Sequence, residues 1–252
     1  MKPYSIYLPQ YDYTSGGIKV MYALYGALLA KGLIVVPNAR FQGEFVGIYP
    51  EIANGNPLNA TTVVRYLLNE MGVMSNGIEP SPTSFPDTDI QFSFSKLFTP
   101  DFPDEKVMFL PAIDTHTFYD QKKPRTNNAV FVGKGTDNRE HPQGCWLIDR
   151  NVASNQTELA NQLNECQVLY TYDPVSAMTE IARLCGTKVV YLGKKYTKED
   201  YKRYEPGMEG MFFHDEPIGE FNCEAFTRQY KGLQAQFWNE KLDLFISTIQ
   251  KI

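Results

Sequence analysis

The sequence predicts an α/β protein with two Rossmann-like domains that face a cleft, followed by a long C-terminal helix. Short apolar runs of strand length alternate with helical patterns, which is the order found in parallel, doubly wound sheets. A polar, proline-bearing stretch at residues 113–128 separates two such series. The chain of 252 residues is also long enough to bury two modest cores. We therefore expect a first domain at residues 1–125 and a second at residues 126–252.

The first series opens with a strand, a helix and two further strands. An apolar run at residues 5–8 predicts the first strand. Residues 18–31 repeat apolar side chains at helical spacing and stop before Gly32, which is typical of a helix and its C-terminal cap. Apolar runs at residues 33–37 and 45–49 predict the next two strands. The order strand, helix, strand indicates a parallel βαβ unit.

The remainder of the first series mixes regular and irregular segments. Residues 61–71 predict a helix that Gly72 closes. Residues 73–89 are rich in Pro, Ser, Gly and Asp and predict a long loop. Residues 90–94 alternate like a half-buried strand, and residues 107–110 predict a further strand. These elements complete the first expected domain.

The second series repeats the alternation. The expected elements are a strand at residues 129–132, a short strand at 146–148, a helix at 157–164, a strand at 168–172, a helix at 175–185 and a strand at 188–192. Residues 223–252 then form one long helical pattern, whose apolar stripe steps by one position between Phe237 and Trp238. Because a stripe this apolar should be buried, we expect the helix to pack across both domains.

Composition narrows the classes of partner. The net charge of −5 and a pI near 5.3 leave no basic face for nucleic acid or an anionic membrane. The four cysteines are scattered without a CxxC pair, which favours reduced thiols in the cytoplasm over disulfides or zinc. No apolar stretch has the length of a transmembrane helix. We expect a cytoplasmic protein that could associate with a membrane only peripherally.

Two loops of the second series carry what a nucleoside diphosphate requires. The turn at residues 133–135, Gly-Lys-Gly, follows the strand at 129–132, and residues 173–176 follow the strand at 168–172. Glycines permit close backbone approach, a lysine supplies positive charge, and a helix N-terminus supplies N–H groups and the positive end of a dipole. Glu180, one turn into that helix, is placed to accept hydrogen bonds from a ribose. The pattern predicts a diphosphate site.

These motifs, in this order along most of the chain, resemble GT-B glycosyltransferases, close to the family 4 type of bacterial and viral polysaccharide enzymes. The residues that carry the resemblance are Ser15-Gly16-Gly17, Tyr49-Pro50-Glu51, Gly55-Asn56-Pro57-Leu58, Val64-Arg65-Tyr66-Leu67-Leu68-Asn69, Val132-Gly133-Lys134-Gly135, Leu169–Asp173 and Glu180-Ile181-Ala182. Two departures are visible. The chain is shorter than most such enzymes, and Tyr172 stands where retaining members carry a first glutamate, which leaves the stereochemical outcome open.

The resemblance implies roles for individual residues. Lys134 would neutralise the β-phosphate as the sugar leaves, and Glu180 would hold the ribose. Asp12, in the loop before the first helix, is the candidate for contact with the acceptor hydroxyl or for general base chemistry. The expected catalytic residues are thus Lys134, Glu180 and Asp12, and the expected donor-binding residues are Gly16, Gly17, Gly133, Lys134, Tyr172, Ser176 and Glu180.

Structural alternatives stay open for the same residues. Lys134 could be a turn lysine in solvent, and Glu180 could be a helix glutamate in solvent or paired with Arg183. Tyr172 could pack in the core, and Asp173 could cap a purely structural helix as its N-cap. The glycines could serve turn geometry alone, and a loop aspartate needs no ligand.

Several further ionisable residues are weaker candidates. Arg139 offers a second phosphate contact, and Glu51 and His116 follow expected strand ends. Arg65 is expected to form a buried ion pair rather than a substrate contact. The triplet at residues 87–89 matches the metal-binding DxD of a different glycosyltransferase fold but lacks the flanking strands of that fold. The triplet at residues 214–216 matches the HxE of zinc deaminases but has no PCxxC partner, so we interpret both as coincidental.

The function we expect is glycosyl transfer from a nucleoside-diphosphate sugar to a glycan hydroxyl in polysaccharide biosynthesis. The resemblance implies no metal and no cofactor besides the donor, and no nucleic-acid partner is expected. One alternative is a non-catalytic module that binds glycan or nucleotide. Another is a Rossmann-type NAD-dependent or sugar-nucleotide-modifying enzyme, against which the absence of a GxGxxG fingerprint counts.

Overall fold

The computed structural model describes residues 2–75, 79–135, 137–173 and 175–251, and these residues contain two five-stranded sheets. The chain divides into two compact units. Unit 1 comprises Met1–Tyr11, Gly17–Pro111 and Leu233–Ile252, and unit 2 comprises Asp12–Gly16 and Ala112–Gly232. The units are therefore assembled from separated segments, whereas the sequence predicted two continuous domains.

Unit 1 is built on a parallel sheet with strand order β2-β1-β3-β4-β5. Its elements are β1 (Tyr4–Ile6), helix α1 (Gly16–Ala30), β2 (Val35–Pro37), β3 (Val46–Pro50), β4 (Thr62–Leu67) and β5 (Ile90–Ser93). The strands predicted at residues 5–8, 33–37, 45–49 and 90–94 are confirmed apart from their ends. Gly32 follows α1 with a φ of 75°, a left-handed value that favours glycine and ends the helix.

Two predictions in unit 1 are wrong. Residues 61–71 do not form a helix, because their largely apolar run is the interior strand β4, in which five of six residues are buried. The adjacent β-branched Val63 and Val64 favour this extended conformation. Residues 107–110 do not form a strand either. Val107 makes an isolated parallel bridge to Ser93 directly after a short 3₁₀-helix, Asp104–Lys106.

Unit 2 is built on a second parallel sheet with strand order β10-β9-β8-β6-β7. Its elements are β6 (Asn127–Phe131), β7 (Trp146–Leu147), α2 (Arg150–Ser154), α3 (Gln156–Glu165), β8 (Cys166–Thr171), α4 (Ala177–Leu184), β9 (Lys188–Tyr191), α5 (Lys198–Tyr201) and β10 (Met211–Phe213). The predicted strands and helices of this half are confirmed within a few residues. The edge strand β10 and the short helices α2 and α5 were not predicted from the sequence.

The two sheets share one strand order. Counted within each unit, the order is 2-1-3-4-5, which is the flavodoxin-like form of a doubly wound fold. The direction of winding reverses between β1 and β3 in unit 1, and between β6 and β8 in unit 2. Ligands of such sheets bind outside the carboxyl ends of the strands at this reversal. In unit 2 the rule selects the two loops that the sequence singled out.

The C-terminal helix contains a π-helical turn. Helix α6 (Cys223–Gln236) runs through a π segment, Phe237–Lys241, into α7 (Leu242–Gln250), and the Leu242 N–H bonds to the Phe237 carbonyl five residues earlier. A π-helical turn inserts one extra residue into the helix, and this insertion shifts the apolar stripe by one position. The buried residues are Phe226, Tyr230, Phe237, Leu242, Phe245 and Ile249. Trp238, predicted in the stripe, is instead 43% exposed.

No helix among the described residues has both the length and the apolar character needed to cross a membrane.

Candidate functional site

The Gly-Lys-Gly turn follows β6 and packs against the end of β8. Gly133 has a φ of 58°, and a Cβ built on it would lie 2.5 Å from Oδ2 of Asp173. A Cβ on Gly135 would lie 2.5 Å from the carbonyl carbon of Tyr172. Real side chains do not approach this closely, so only glycine fits at either position. The structure thus gives both glycines a packing role, and the predicted phosphate contact of Gly133 remains a prediction.

Lys134 lies between the two loops of unit 2. Its Nζ donates to the Val175 carbonyl at 3.2 Å and lies 3.7 Å from Oδ1 of Asp173. Its backbone N–H donates to Oδ2 of the same aspartate at 3.1 Å. The side chain remains 44% exposed. Lys134 is therefore held at the carboxyl ends of β6 and β8 and still reaches solvent.

Asp173 is buried beneath this lysine. Its side chain is 3% exposed, and its Oδ1 is a buried oxygen without a hydrogen-bond partner. Burial raises the pKa of Asp173, and the positive charge of Lys134 opposes that shift. Its Oδ2 accepts the Lys134 N–H, and the N-cap of the following helix is Ser176, so the prediction of Asp173 as N-cap is wrong.

Helix α4 starts later than predicted and is capped by Ser176. The Ser176 backbone is extended, with φ −136° and ψ 143°, and its hydroxyl accepts the Met178 N–H at 3.2 Å. The Thr179 hydroxyl donates to the Ser176 carbonyl at 2.8 Å. Serine in this geometry is a favourable N-cap. The positive end of the α4 dipole therefore lies beside the loop that holds Asp173 and Lys134.

Glu180 is buried in unit 2, with 5% of its surface exposed. The Tyr204 hydroxyl donates a short hydrogen bond to its Oε1, and the Tyr230 hydroxyl is a second partner. Burial is the main cause that raises the pKa of Glu180, and the two tyrosines and Arg183 oppose it. A ribose could reach this carboxylate only if a sugar hydroxyl replaced one of the tyrosines. The donor role of Glu180 remains a prediction.

Arg183 does not form the ion pair with Glu180 that the sequence offered as an alternative. Its Nη1 donates to the carbonyls of Gly207 at 2.8 Å and Glu209 at 3.2 Å, and its guanidinium carbon lies 4.2 Å from the ring centre of Phe226. Both tyrosines around Glu180 come from distant segments of the chain, and no local sequence pattern predicts them.

Tyr172 belongs to the core of unit 2. Its side chain packs in a cluster with Val130, Val168, Val190 and Leu192. The hydroxyl emerges on the other side and accepts N–H bonds from residues 140 and 141, at 3.0 and 3.3 Å. The sequence is compatible with donor binding or core packing for Tyr172. In the structure its ring packs in the core, and its hydroxyl holds the loop that follows the 133–135 turn.

The N-terminal loop contributes Asp12 and the two glycines at the start of α1. Oδ1 of Asp12 accepts both the N–H and the hydroxyl of Thr14 at 2.7 Å. Gly16 belongs to unit 2, where a Cβ built on it would lie 3.2 Å from the Ala177 Cβ. Gly17 belongs to unit 1. The predicted acceptor and donor contacts of these residues remain predictions.

The weaker candidates are accounted for locally. Arg65 forms the predicted buried ion pair, with its Nε 2.8 Å from Oδ2 of Asp89, so the acidic triplet at 87–89 has a structural role. The carboxylate of Glu51 accepts the N–H of the residue after β4 at 2.9 Å. Arg139 and His116 are exposed. Among the described residues, no group of three or more His, Cys, Asp or Glu side chains could hold a metal ion.

No protein-family model and no curated protein matches the chain. Among solved structures, an uncharacterized protein from Klebsiella pneumoniae subsp. pneumoniae NTUH-K2044 is similar over 85% of this chain and 93% of its own, with 14% identity and a TM-score of 0.49. An alpha-glucosyltransferase in complex with UDP and a 13-mer DNA containing a central A:G mismatch is similar over 100% of this chain and 98% of its own, with 11% identity and a TM-score of 0.46. The alpha-glucosyltransferase in complex with UDP and a 13-mer DNA containing an HMU base is similar over 99% of this chain and 97% of its own, with 12% identity and a TM-score of 0.45.

Proposed function

We propose that unit 2 binds a nucleoside diphosphate at the carboxyl ends of β6 and β8, and that the protein is a glycosyltransferase with a nucleoside-diphosphate-sugar donor. The observation that supports this most is the meeting of Lys134 with the start of α4 where the winding of the sheet reverses. A diphosphate site needs a cation, backbone N–H groups and a crevice at the carboxyl ends of the strands. This site offers a lysine that reaches solvent beside a capped helix N-terminus.

In this proposal the chemistry is stabilisation of the leaving diphosphate. Negative charge develops on the β-phosphate as the sugar–oxygen bond breaks, and a preorganised cation lowers the energy of that state. Lys134 supplies the cation, and the first turn of α4, after Ser176, supplies the dipole. Asp12 is the proposed contact for the acceptor hydroxyl. The transfer needs no metal in this scheme, because the lysine performs the role that a divalent cation has elsewhere.

A binding screen tests the diphosphate site. Calorimetry would compare UDP, GDP, dTDP, CDP and NAD with the wild-type protein and with Lys134→Ala. We expect one nucleoside diphosphate to bind and its affinity to fall about 10- to 100-fold in the variant, since one hydrogen bond to a charged group contributes about 1.5–3 kcal/mol. Lys231→Ala, at an exposed position of α6, is the matched control and should bind normally. Equal binding by both variants, or binding of NAD alone, would refute the proposal.

A second function is favoured by one observation. Glu180 is buried under two tyrosines, so the ribose contact that the resemblance implies is closed in this structure. A module that binds a nucleotide without transferring sugar would need neither Glu180 nor Asp12. Mass spectrometry of nucleoside-diphosphate sugars incubated with the protein separates the two functions. Catalytic release of the nucleoside diphosphate supports the transferase, and tight binding without any release supports the module.

A further inference from the structure

Lys134 and Asp173 form an ion pair where the proposed diphosphate would bind. The lysine Nζ lies 3.7 Å from the aspartate Oδ1 and 3.2 Å from the Val175 carbonyl oxygen. The two partners differ in their access to water, because the lysine side chain is 44% exposed and the aspartate side chain is 3% exposed. The cation can therefore turn toward an incoming anion, whereas the carboxylate cannot move out to solvent with it.

Lys134 supplies the positive charge that compensates Asp173, and the backbone N–H groups of Lys134 and Val175 add hydrogen bonds to its carboxylate. Its Oδ2 accepts the Lys134 N–H, while its buried Oδ1 has no hydrogen-bond partner. The titratable groups that face it from the neighbouring elements are Tyr191 of β9 and Tyr201 of α5. Burial raises the pKa of Tyr191 and raises the pKa of Tyr201 to about 12, so both hydroxyls are neutral at physiological pH. Neither tyrosine can replace the positive charge.

We propose that Asp173 competes with the bound diphosphate for Lys134, so that diphosphate binding is coupled to protonation of the Asp173 carboxylate. The proposal rests on the function proposed above. When Lys134 turns to the phosphates, the carboxylate stays buried, without its cation and close to new negative charge. A buried carboxylate in that position takes up a proton, because its charged form is no longer compensated.

The proton comes from solvent and remains on Asp173 while the ligand is bound. The unbound protein keeps the ion pair and therefore keeps the site neutral and preformed. In this scheme Asp173 sets the affinity and the pH dependence of the site without contacting the reacting sugar.

The sign of the pH dependence follows from the direction of proton movement. Because binding takes up a proton, the affinity falls as the pH rises through the range between the pKa of Asp173 in the free and in the bound protein. For one coupled proton the slope reaches at most about tenfold in affinity per pH unit. A site in which Lys134 bridges aspartate and phosphate together would show no such slope.

Calorimetry in buffers of different ionisation enthalpy measures the proton directly. The probes are UDP-glucose and GDP-mannose in PIPES, HEPES and Tris, because a diphosphate diester does not titrate near neutral pH, unlike the terminal phosphate of UDP with a pKa of about 6. The slope of observed enthalpy against buffer ionisation enthalpy gives the number of protons taken up. The matched variant is Asp173→Asn, which keeps an oxygen acceptor for the Lys134 N–H and removes the charge.

We expect the wild-type protein to take up close to one proton per ligand, and Asp173→Asn to take up none and to bind at least about tenfold more tightly near pH 8. Wild-type binding without proton uptake, or the same uptake by the variant, would overturn the inference while leaving the diphosphate site in place. Absence of binding by both probes, together with no binding of any nucleoside diphosphate in the screen above, would count against the proposed function itself. If circular dichroism shows that Asp173→Asn does not fold, the wild-type proton count alone decides.

Discussion

Replacing Glu180 by alanine and by glutamine separates two contributions of its buried carboxyl group to stability. In Glu180→Ala, the hydroxyls of Tyr204 and Tyr230 lose their acceptor inside the protein. An unsatisfied buried polar group costs about 1–3 kcal/mol, so the two together predict a loss of about 2–6 kcal/mol of unfolding free energy. Tyr230 also accepts the Ile113 N–H at 3.2 Å, which favours the lower part of this range.

Glu180→Gln should behave differently because its amide oxygen still accepts the Tyr204 hydroxyl. We expect a change within about 1 kcal/mol near neutral pH, since the hydrogen bond is retained. Burial raises the pKa of Glu180 in the folded protein above the value of 4.5 for an exposed glutamate. The stability contributed by its protonated form is therefore complete below the unfolded pKa and is lost as the pH rises through the folded pKa. Glutamine does not titrate, so the difference should shift in its favour with rising pH.

Urea denaturation followed by tryptophan fluorescence measures both effects. The chain has two tryptophans, Trp146 in unit 2 and Trp238 in unit 1, so a Trp238→Phe background makes the signal report on the unit that contains Glu180. Measurements near pH 5 and pH 8 give the pH dependence. If Glu180→Gln loses as much stability as Glu180→Ala at both pH values, the carboxylate is needed in its charged form and the reasoning is refuted.

Three further predictions concern packing at two glycines and a buried ion pair. Gly135→Ala should prevent the turn from seating against Tyr172, because its methyl group would overlap the carbonyl, and thermal unfolding should show a clear loss of stability. Gly26→Ala, inside α1 with no atom within 4 Å of the new methyl group, should raise stability by about 0.5–1 kcal/mol. Asp89→Asn leaves the buried Arg65 without its counterion and should cost about 3–5 kcal/mol in urea denaturation.

A measurement can contradict each of these three predictions. Equal melting temperatures for the two glycine variants would show that the turn at residues 133–135 can relax. Asp101→Asn, at an exposed aspartate of the same unit as Asp89, is the control for loss of a surface charge. A loss at Asp89 no larger than the loss at Asp101 would mean that the carbonyls around Arg65 satisfy the guanidinium by themselves.

Local patterns predicted most elements of the fold, and the failures have a physical cause. Buried residues lie on both faces of β4, and the charged Arg65 is one of them, so the sequence shows neither a two-residue nor a 3.6-residue period, and length and β-branching are the remaining signals. The step in the C-terminal stripe, in contrast, was a true signal of the π turn at Phe237–Lys241. When one face of an element is polar, the hydrophobic pattern identifies the element as a helix or a strand. When both faces are buried, pairing with neighbouring strands determines the element.

The candidate site shows the same division. The proximity of Lys134 and Asp173 could be predicted in part, because each residue follows a strand of one expected parallel series, and the carboxyl ends of paired parallel strands lie side by side. The surroundings of Glu180 could not be predicted. Tyr204 and Tyr230 approach it from segments well separated along the chain, and a local sequence pattern carries no information about such contacts.

The division of the chain into interleaved units has a consequence for the order of folding on the ribosome. Unit 1 takes its last residues from Leu233–Ile252, where Phe245 packs on Phe92 with ring centres 4.7 Å apart. At a synthesis rate of about 5–20 residues per second, the N-terminal sheet would wait roughly 10–30 s for this helix. Unit 2 is completed earlier, although it starts later along the chain. We therefore expect nascent chains that stop before Leu233 to protect unit 2 from protease while the first sheet remains open to cleavage.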